Sequence, residues 1–201
     1  MENIAKHKDR IAGEWSTNEK VAMEVAIGAS IGGARTLCAM KHVGLNVAMD
    51  PLMTFTFIGT TGGLVIVVAD DPGMHSSQNE QDNRNYARAA KAPMLEPSDS
   101  QEAKDFTILA LQLSERFDVP VILRTTTRLA HSDTAVTLGE REVPARACEP
   151  VRDHQKYVMI PAYARTRNAA RLQRWQELVA FADNTESVSY THLTLPTIYS
   201  V

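Results

Sequence analysis

The sequence predicts a doubly wound α/β fold, with a mainly parallel sheet and helices on both faces. Apolar, β-branched runs of strand length alternate with helical patterns about every 25 residues, and no two-residue hairpin signal joins them. The strongest run, residues 64–69, is continuously apolar, as strands buried on both faces of a parallel sheet are. It breaks into charge, a Pro-Gly turn and polar residues up to position 84. Ligands bind at such strand ends in open α/β sheets, so we expect the chemistry there.

The chain before that strand supplies a helix, a strand and a second helix. Residues 17–31 follow a helical period behind polar cap-forming residues, and many of them are small, which allows close backbone approach. Residues 35–40 predict a short strand, and residues 41–44 predict a turn. A helix over residues 45–59 should start near Asp50, because Pro51 suits a helix start better than an interior.

The chain after that strand continues the alternation. The sequence predicts a helix near residues 85–90 and a short strand between the prolines of residues 93–97. The next helix starts at Ser98, which we expect to cap it, and carries an apolar face. Residues 119–123 then predict a strand. Strand and helix therefore alternate throughout, as parallel sheets require.

Three segments are expected from the changes in composition. Residues 1–131 form the α/β unit, and residues 132–187 read as a linker and an exposed helix toward a following domain. Residues 188–201 match nothing before them and resemble a translated sequencing-adapter read-through, so we set them aside from the fold.

Charge and cysteine content exclude several functions. A formal net charge of −3 gives no electrostatic reason for binding nucleic acid. No apolar run reaches the roughly 18 residues of a membrane span, so we expect no membrane partner. The two cysteines, Cys38 and Cys148, are far apart and cannot by themselves ligate zinc or an iron–sulfur cluster. Reduced thiols in a cytoplasmic protein are the expectation.

The residues alone leave the function open between three alternatives. Asp70, Asp71 and His75 would suit a metal-dependent hydrolase if they converged, although a solvated loop is the commoner outcome. A non-catalytic α/β interaction module is the second alternative. Glu19, in the first turn of a small-residue helix, is either a cap stabilised by the helix dipole or a functional acid.

Two segments favour a functional role for Glu19, because they resemble a known enzyme family. They are NEKVAMEVAIGASIGGARTLCAMKHVGLN (18–46) and ADDPGMHSSQNEQDNR (69–84). Together they resemble the alpha subunit of the indolepyruvate:ferredoxin oxidoreductases, within the thiamine-diphosphate-dependent 2-oxoacid:ferredoxin oxidoreductases. The resemblance covers about residues 1–135 and implies the pyrimidine-binding domain of that family. Family members carry a strand with a GYPGTP-like turn ahead of this region, and diphosphate-binding and cysteine-rich domains after it. The sequence is therefore interpreted as a fragment, incomplete at both ends.

The resemblance implies residue roles. Glu19 would be the catalytic acid that shares a proton with N1′ of the aminopyrimidine and so activates thiamine diphosphate. His42 and Gly44 would line the cofactor pocket. The substrate-side loop would contribute four residues: Asp71, His75, Ser76 and Gln78.

The resemblance also implies partners. The complete enzyme would oxidatively decarboxylate aryl 2-oxoacids such as indolepyruvate, transfer the acyl group to coenzyme A and pass electrons through iron–sulfur clusters to ferredoxin. It would include a beta subunit. Mg²⁺ and [4Fe–4S] clusters would belong to the complete protein, and no metal ligand is assigned in this chain. The fragment is expected to be inactive alone.

Overall fold

The computed structural model of the chain describes residue 4 and residues 6–140 and 152–185. In these residues four strands alternate with helices, as the sequence predicts. The elements are α1 (Glu19–Ile31), β1 (Thr36–Lys41), α2 (His42–Val47), α3 (Met49–Ile58), β2 (Leu64–Asp70), α4 (Asn83–Ala90), β3 (Met94–Leu95), α5 (Ser100–Phe117), β4 (Val121–Thr126), α6 (Thr127–Ala130), α7 (His154–Tyr157) and α8 (Pro161–Asp183).

The four strands form one parallel sheet in the order β1-β2-β4-β3. In β2, Val68 lies between Met40 of β1 and Arg124 of β4, so the strands end at the same edge of the sheet. Because all strands are parallel, the residues that follow β1, β2 and β4 meet at this carboxyl edge. The predicted fold class is confirmed.

Side chains on the two faces of β2 enter two different hydrophobic layers. Leu64, Ile66 and Val68 point to a layer built with helices α1 to α4, in which Phe55 and Met23 are fully buried. The alternate β2 residue, Val65, packs on the other face with α5 and α8. Alternation with a period of two thus explains how one apolar strand serves both layers.

Helix α1 forms where the sequence predicts it, and its N-terminus is capped by Asn18. The Asn18 side chain accepts a hydrogen bond of 2.9 Å from the Val21 backbone N–H. Helix α1 precedes β1 and packs against it, and only residues 32–35 separate the two. The end of α1 therefore lies near the start of β1, which places Glu19 at the other, carboxyl edge of the sheet.

Two predictions are wrong. Residues 41–44 are not a turn, because α2 begins at His42 directly after β1, capped by extended Lys41. Packing of Leu45 and Ala48 into the core stabilises this six-residue helix where propensity alone would not. Ser98 does not cap α5 either. The N-cap is Asp99, whose carboxylate accepts from the Glu102 N–H at 2.8 Å, while Glu102 in return bonds the Ser98 N–H.

Helix α8 packs against α3 and α5 rather than standing apart from them. Most of its residues are exposed or half-buried, but Arg174 and Leu178 are buried. The division between residues 1–131 and 132–187 stays a prediction, and residues 188–201 lie outside the described residues. Within residues 6–140 and 152–185, no helix combines the length and apolar character needed to cross a membrane.

Candidate active site

Glu19 and Gly44 meet at the carboxyl edge of the sheet. The Glu19 side chain is half-buried and lies so close to Gly44 that a Cβ atom built there would be 2.5 Å from its Cγ and 2.9 Å from its Oε1. Gly44 belongs to α2 and is buried. The absence of a side chain at position 44 is therefore what leaves room for the carboxylate.

His42 starts the same helix and is fully buried. Its Nε2 lies 3.0 Å from the backbone oxygen of Asn79. Its Nδ1 is also buried and has no hydrogen-bond partner among the described residues. A carbonyl can only accept, so Nε2 carries a proton and donates it to Asn79.

The β2–α4 loop (residues 71–82) is organised around Asp71. The Asp71 carboxylate accepts hydrogen bonds from the Ser76 N–H at 2.8 Å, the His75 N–H at 3.1 Å and the Thr127 hydroxyl at 2.7 Å. The hydroxyl of Thr127 and the backbone N–H groups of Ser76 and His75 hold the pKa of Asp71 far below its usual range, because each stabilises the ionised form. Asp71 therefore shapes the loop from its buried base.

The exposed part of this loop carries the other predicted substrate-side residues. His75, Ser76 and Gln78 are all exposed. The loop is tied back to the end of β1 by Lys41, whose Nζ donates to the Ser76 carbonyl at 3.1 Å, and by the His42 contact to Asn79. The structure thus brings the predicted loop residues next to the helix that carries Gly44.

A buried ion network that the sequence analysis missed lies behind the loop. The Arg124 guanidinium pairs with Asp70 through Nε and with Glu96 through Nη1. Asp70 also accepts from the Asn83 amide at 2.6 Å. Burial raises the pKa of Asp70, which Arg124 and Asn83 offset in part. The network joins the ends of β2, β4 and β3, and the pairing of Asp70 with a residue 54 positions away gives no local sequence signal.

The metal-dependent hydrolase alternative loses its basis in this geometry. Asp70 is held by Arg124, and Asp71 is used by the loop backbone, whereas His75 is exposed. Among the described residues, no three His, Cys, Asp or Glu side chains lie close enough together to hold a metal ion.

The residues at the Glu19–Gly44 corner suit an aminopyrimidine ring. The corner offers a half-buried carboxylate, a backbone without a Cβ beside it, and a loop anchored nearby. Glycine at position 44 leaves room for the Glu19 side chain, and a carboxylate can hold a proton on a ring nitrogen. This donor set is compatible with the cofactor that the sequence resemblance implies.

Comparison with known proteins places the chain in a family. The family model described as pyruvate flavodoxin/ferredoxin oxidoreductase, thiamine diphosphate-binding, matches residues 2–186. The chain belongs to this family. The match spans every strand and helix described above.

Curated relatives are similar over most of this chain. Indolepyruvate oxidoreductase subunit IorA of Archaeoglobus fulgidus is 49% identical over 176 residues, which cover 86% of this chain and 28% of that protein. The subunits of Pyrococcus abyssi and Thermococcus kodakarensis, with the same name, are 52% and 46% identical and are covered over 25% and 28% of their lengths. The chain thus spans about a quarter of the length of these relatives.

Solved structures share the fold at low identity. The 2-oxoglutarate:ferredoxin oxidoreductase from Magnetococcus marinus matches with a TM-score of 0.64 at 16% identity, over 90% of this chain and 39% of that one. A thiamine diphosphate-dependent enzyme isolated from Mycobacterium smegmatis matches with a TM-score of 0.51 at 18% identity, over 66% of this chain and 26% of that one. At such low sequence identity, these two matches show similarity of the fold alone.

Proposed function

We propose that this chain is the pyrimidine-binding part of the alpha subunit of an indolepyruvate:ferredoxin oxidoreductase, with Glu19 as the cofactor-activating acid. The observation that carries the proposal is the packing of Glu19 against Gly44 at the carboxyl edge of the sheet. The relatives named above, which are 49% and 52% identical to this chain over the aligned residues, support the assignment of the substrate.

The chemistry that thiamine diphosphate supplies when bound is cleavage of the bond between the keto carbon and the carboxylate of a 2-oxoacid. The chain would contribute the carboxylate of Glu19, which holds a proton at N1′ of the aminopyrimidine. Gly44 would leave the space in which Glu19 reaches that nitrogen. His42 and the β2–α4 loop would close the substrate side of the pocket, with Asp71 fixing the loop and His75, Ser76 and Gln78 exposed on it.

The overall reaction proposed for the complete enzyme balances with two one-electron acceptors. One 2-oxoacid, one coenzyme A and two oxidised ferredoxins would give one acyl-coenzyme A, carbon dioxide, two reduced ferredoxins and one proton. The beta subunit, Mg²⁺ and the iron–sulfur clusters would be supplied by the rest of the enzyme. The proposed ferredoxin partner would place the enzyme in the cytoplasm.

The test uses the complete enzyme, assayed anaerobically for indolepyruvate-dependent ferredoxin reduction. Replacing Glu19 with Gln keeps the size of the side chain but removes its proton-holding carboxylate, so we expect a loss of turnover of about 10²-fold or more. Glu24→Gln is the matched control, because Glu24 is an exposed acid on the same helix, and this variant should keep full turnover.

The competing hypothesis, that the chain is a non-catalytic interaction module, makes the opposite prediction. It predicts equal turnover for Glu19→Gln and Glu24→Gln, since neither acid would touch a reacting group. Turnover within twofold for both variants would therefore rule out the role proposed for Glu19.

A further inference from the structure

We propose that His42 is a positioning residue, which holds the β2–α4 loop against the helix turn that carries Gly44 and thereby sets the affinity for the 2-oxoacid. The inference rests on the proposed function, because the substrate is taken from it. It changes the role of His42 from a residue that lines the cofactor pocket to one that acts through the loop.

Hydrogen bonds hold the loop at its base, at its end and at its side, and at its end the Tyr86 hydroxyl of α4 donates to Gln81 at 3.0 Å. Asp71 and Thr127 fix its base, and Glu80 closes the loop on itself by accepting from the Gly73 N–H at 3.1 Å. Only two of the described hydrogen bonds run from the end of β1 to the loop, those of Lys41 and His42. The Lys41 bond is exposed, whereas the His42 ring is fully buried, so water competes less for the His42 bond.

The hydrogen bond to Asn79 gives His42 a role beyond filling space. An apolar side chain of similar size would occupy the same site without a buried polar atom that lacks a partner. The ring atom that does have a partner, Nε2, is the one that reaches the loop. The polar function of the residue is therefore directed at Asn79.

The same helix turn connects the loop to Glu19. His42 is the first residue of α2, and Gly44, against which Glu19 lies, is two residues further on. Helix α2 therefore contacts the loop through His42 and contacts Glu19 through Gly44. A change at His42 would release the loop, whose exposed residues His75, Ser76 and Gln78 are the proposed substrate contacts.

The first measurement is independent of catalysis and uses the 201-residue chain with ¹⁵N-labelled histidine rings. Long-range ¹⁵N–¹H spectra should show a proton on Nε2 of His42. A proton on Nδ1 with Nε2 bare would overturn the proposal, because Nε2 could not then donate to Asn79. Since the wild-type chain is used, this result does not depend on whether a variant folds.

The second measurement compares amide hydrogen exchange in His42→Leu, His42→Gln and the wild-type chain. We expect residues 75–80 to exchange at least about fivefold faster in His42→Leu, with β2 and β4 unchanged. His42→Gln should recover most of the protection, because its amide can donate. His154→Leu, at an exposed histidine elsewhere, should change nothing. Equal loop exchange in His42→Leu and wild type would overturn the proposal.

The third measurement separates this proposal from the proposed function. In the complete enzyme, His42→Leu should raise the KM for indolepyruvate about tenfold with kcat within about twofold, and His42→Gln should restore KM. A fall in kcat like that of Glu19→Gln at unchanged KM would place His42 in the chemical step and overturn the positioning role. If Glu19→Gln kept full activity while His42→Leu still raised the KM, the role proposed for Glu19 would be wrong and the role proposed for His42 would be supported.

Discussion

The Glu19 side chain, from α1, fills the space beside Gly44 of α2: the Cγ atom of Glu19 lies 2.5 Å from where a Cβ at position 44 would be. Real Cβ atoms do not come that close to another atom. Position 44 therefore accepts only glycine while Glu19 keeps this conformation. The requirement is set by the neighbouring side chain and not by the backbone, since Gly44 is an ordinary helical residue of α2.

Replacing Gly44 with Ala should reduce activity without unfolding the protein. The atoms in the way belong to the flexible Glu19 side chain, which can move aside. Alanine also favours a helix by about 1 kcal/mol over glycine, which offsets the local cost. We expect the free energy of unfolding, measured with urea, to stay within about 1 kcal/mol. Turnover in the complete enzyme should fall by about 10²-fold, as misplacing a catalytic group by about 1 Å does.

The matched control is Gly28→Ala on α1, where a new Cβ meets no atom within 4 Å. This substitution should stabilise α1 by up to about 1 kcal/mol and leave turnover unchanged. If Gly44→Ala behaved like Gly28→Ala, the packing of Glu19 on Gly44 would have no functional meaning.

Asp71 should make the free energy of unfolding of the domain decrease at acidic pH. Its pKa in the folded chain lies far below that of an unfolded aspartate, which is about 3.9. The stabilisation is therefore complete above about pH 4 and is lost as the pH falls from there toward the folded pKa. Asp71→Asn should lower the urea midpoint at pH 7, and its difference from wild type should shrink at pH 3.

Asp133→Asn is the control for this pH effect, because Asp133 is exposed. Its urea midpoints should follow those of wild type at both pH values. A constant difference between Asp71→Asn and wild type from pH 7 to pH 3 would show that ionisation of Asp71 is not the source of its stabilising effect.

The sequence predicted those elements whose signal is local. The run LVIVVAD is uniformly apolar up to its last residue, so β2 and its place between two layers followed from composition alone. Helix α1 was found because Asn18 and Glu19 precede a long helical period. The same pattern marks Glu19 as an acid in the first turn of the helix, whereas its role is implied by the family resemblance.

The features that were missed depend on residues distant in the chain. The six residues of α2 include Gly44 and Asn46 and would be marginal as a helix without the core beneath them. The pairing of Arg124 with Asp70 and Glu96 exists because parallel pairing of β2, β4 and β3 brings three strand ends together. The contact of Glu19 with Gly44 likewise needs the tertiary fold.

The 201-residue chain alone should not turn over indolepyruvate when supplied with thiamine diphosphate, coenzyme A and ferredoxin. The chain spans about a quarter of the related subunits, and its described residues include no group that could hold a metal ion. Decarboxylation can be followed as release of labelled carbon dioxide from [1-¹⁴C]indolepyruvate. Release above the rate without protein, and abolished in Glu19→Gln, would show that this prediction is wrong.

Arg174 should be the main stabiliser of α8 on the domain. Its guanidinium is buried and donates to the Thr56 carbonyl at 2.7 Å and to the Asp118 carboxylate at 2.8 Å. It thereby satisfies the last turn of α3, whose carbonyls carry the negative end of the helix dipole, and the carboxylate that follows α5. Arg174→Leu leaves the Thr56 carbonyl without this donor and removes one of three cations around Asp118, since Lys156 and Arg167 remain beside that carboxylate. We therefore expect the free energy of unfolding to fall by about 1–3 kcal/mol.

Two further variants make the Arg174 prediction specific. Arg174→Lys should recover only part of the loss, because an ammonium group cannot replace the planar fork that reaches both partners at once. Arg165→Leu removes an exposed arginine of the same helix and should change the free energy of unfolding by no more than about 0.5 kcal/mol. Urea unfolding followed by the fluorescence of Trp175, which lies on α8 next to Arg174, measures all three. Equal effects of Arg165→Leu and Arg174→Leu would mean that the general charge of α8, and not the buried contacts of Arg174, stabilises its position.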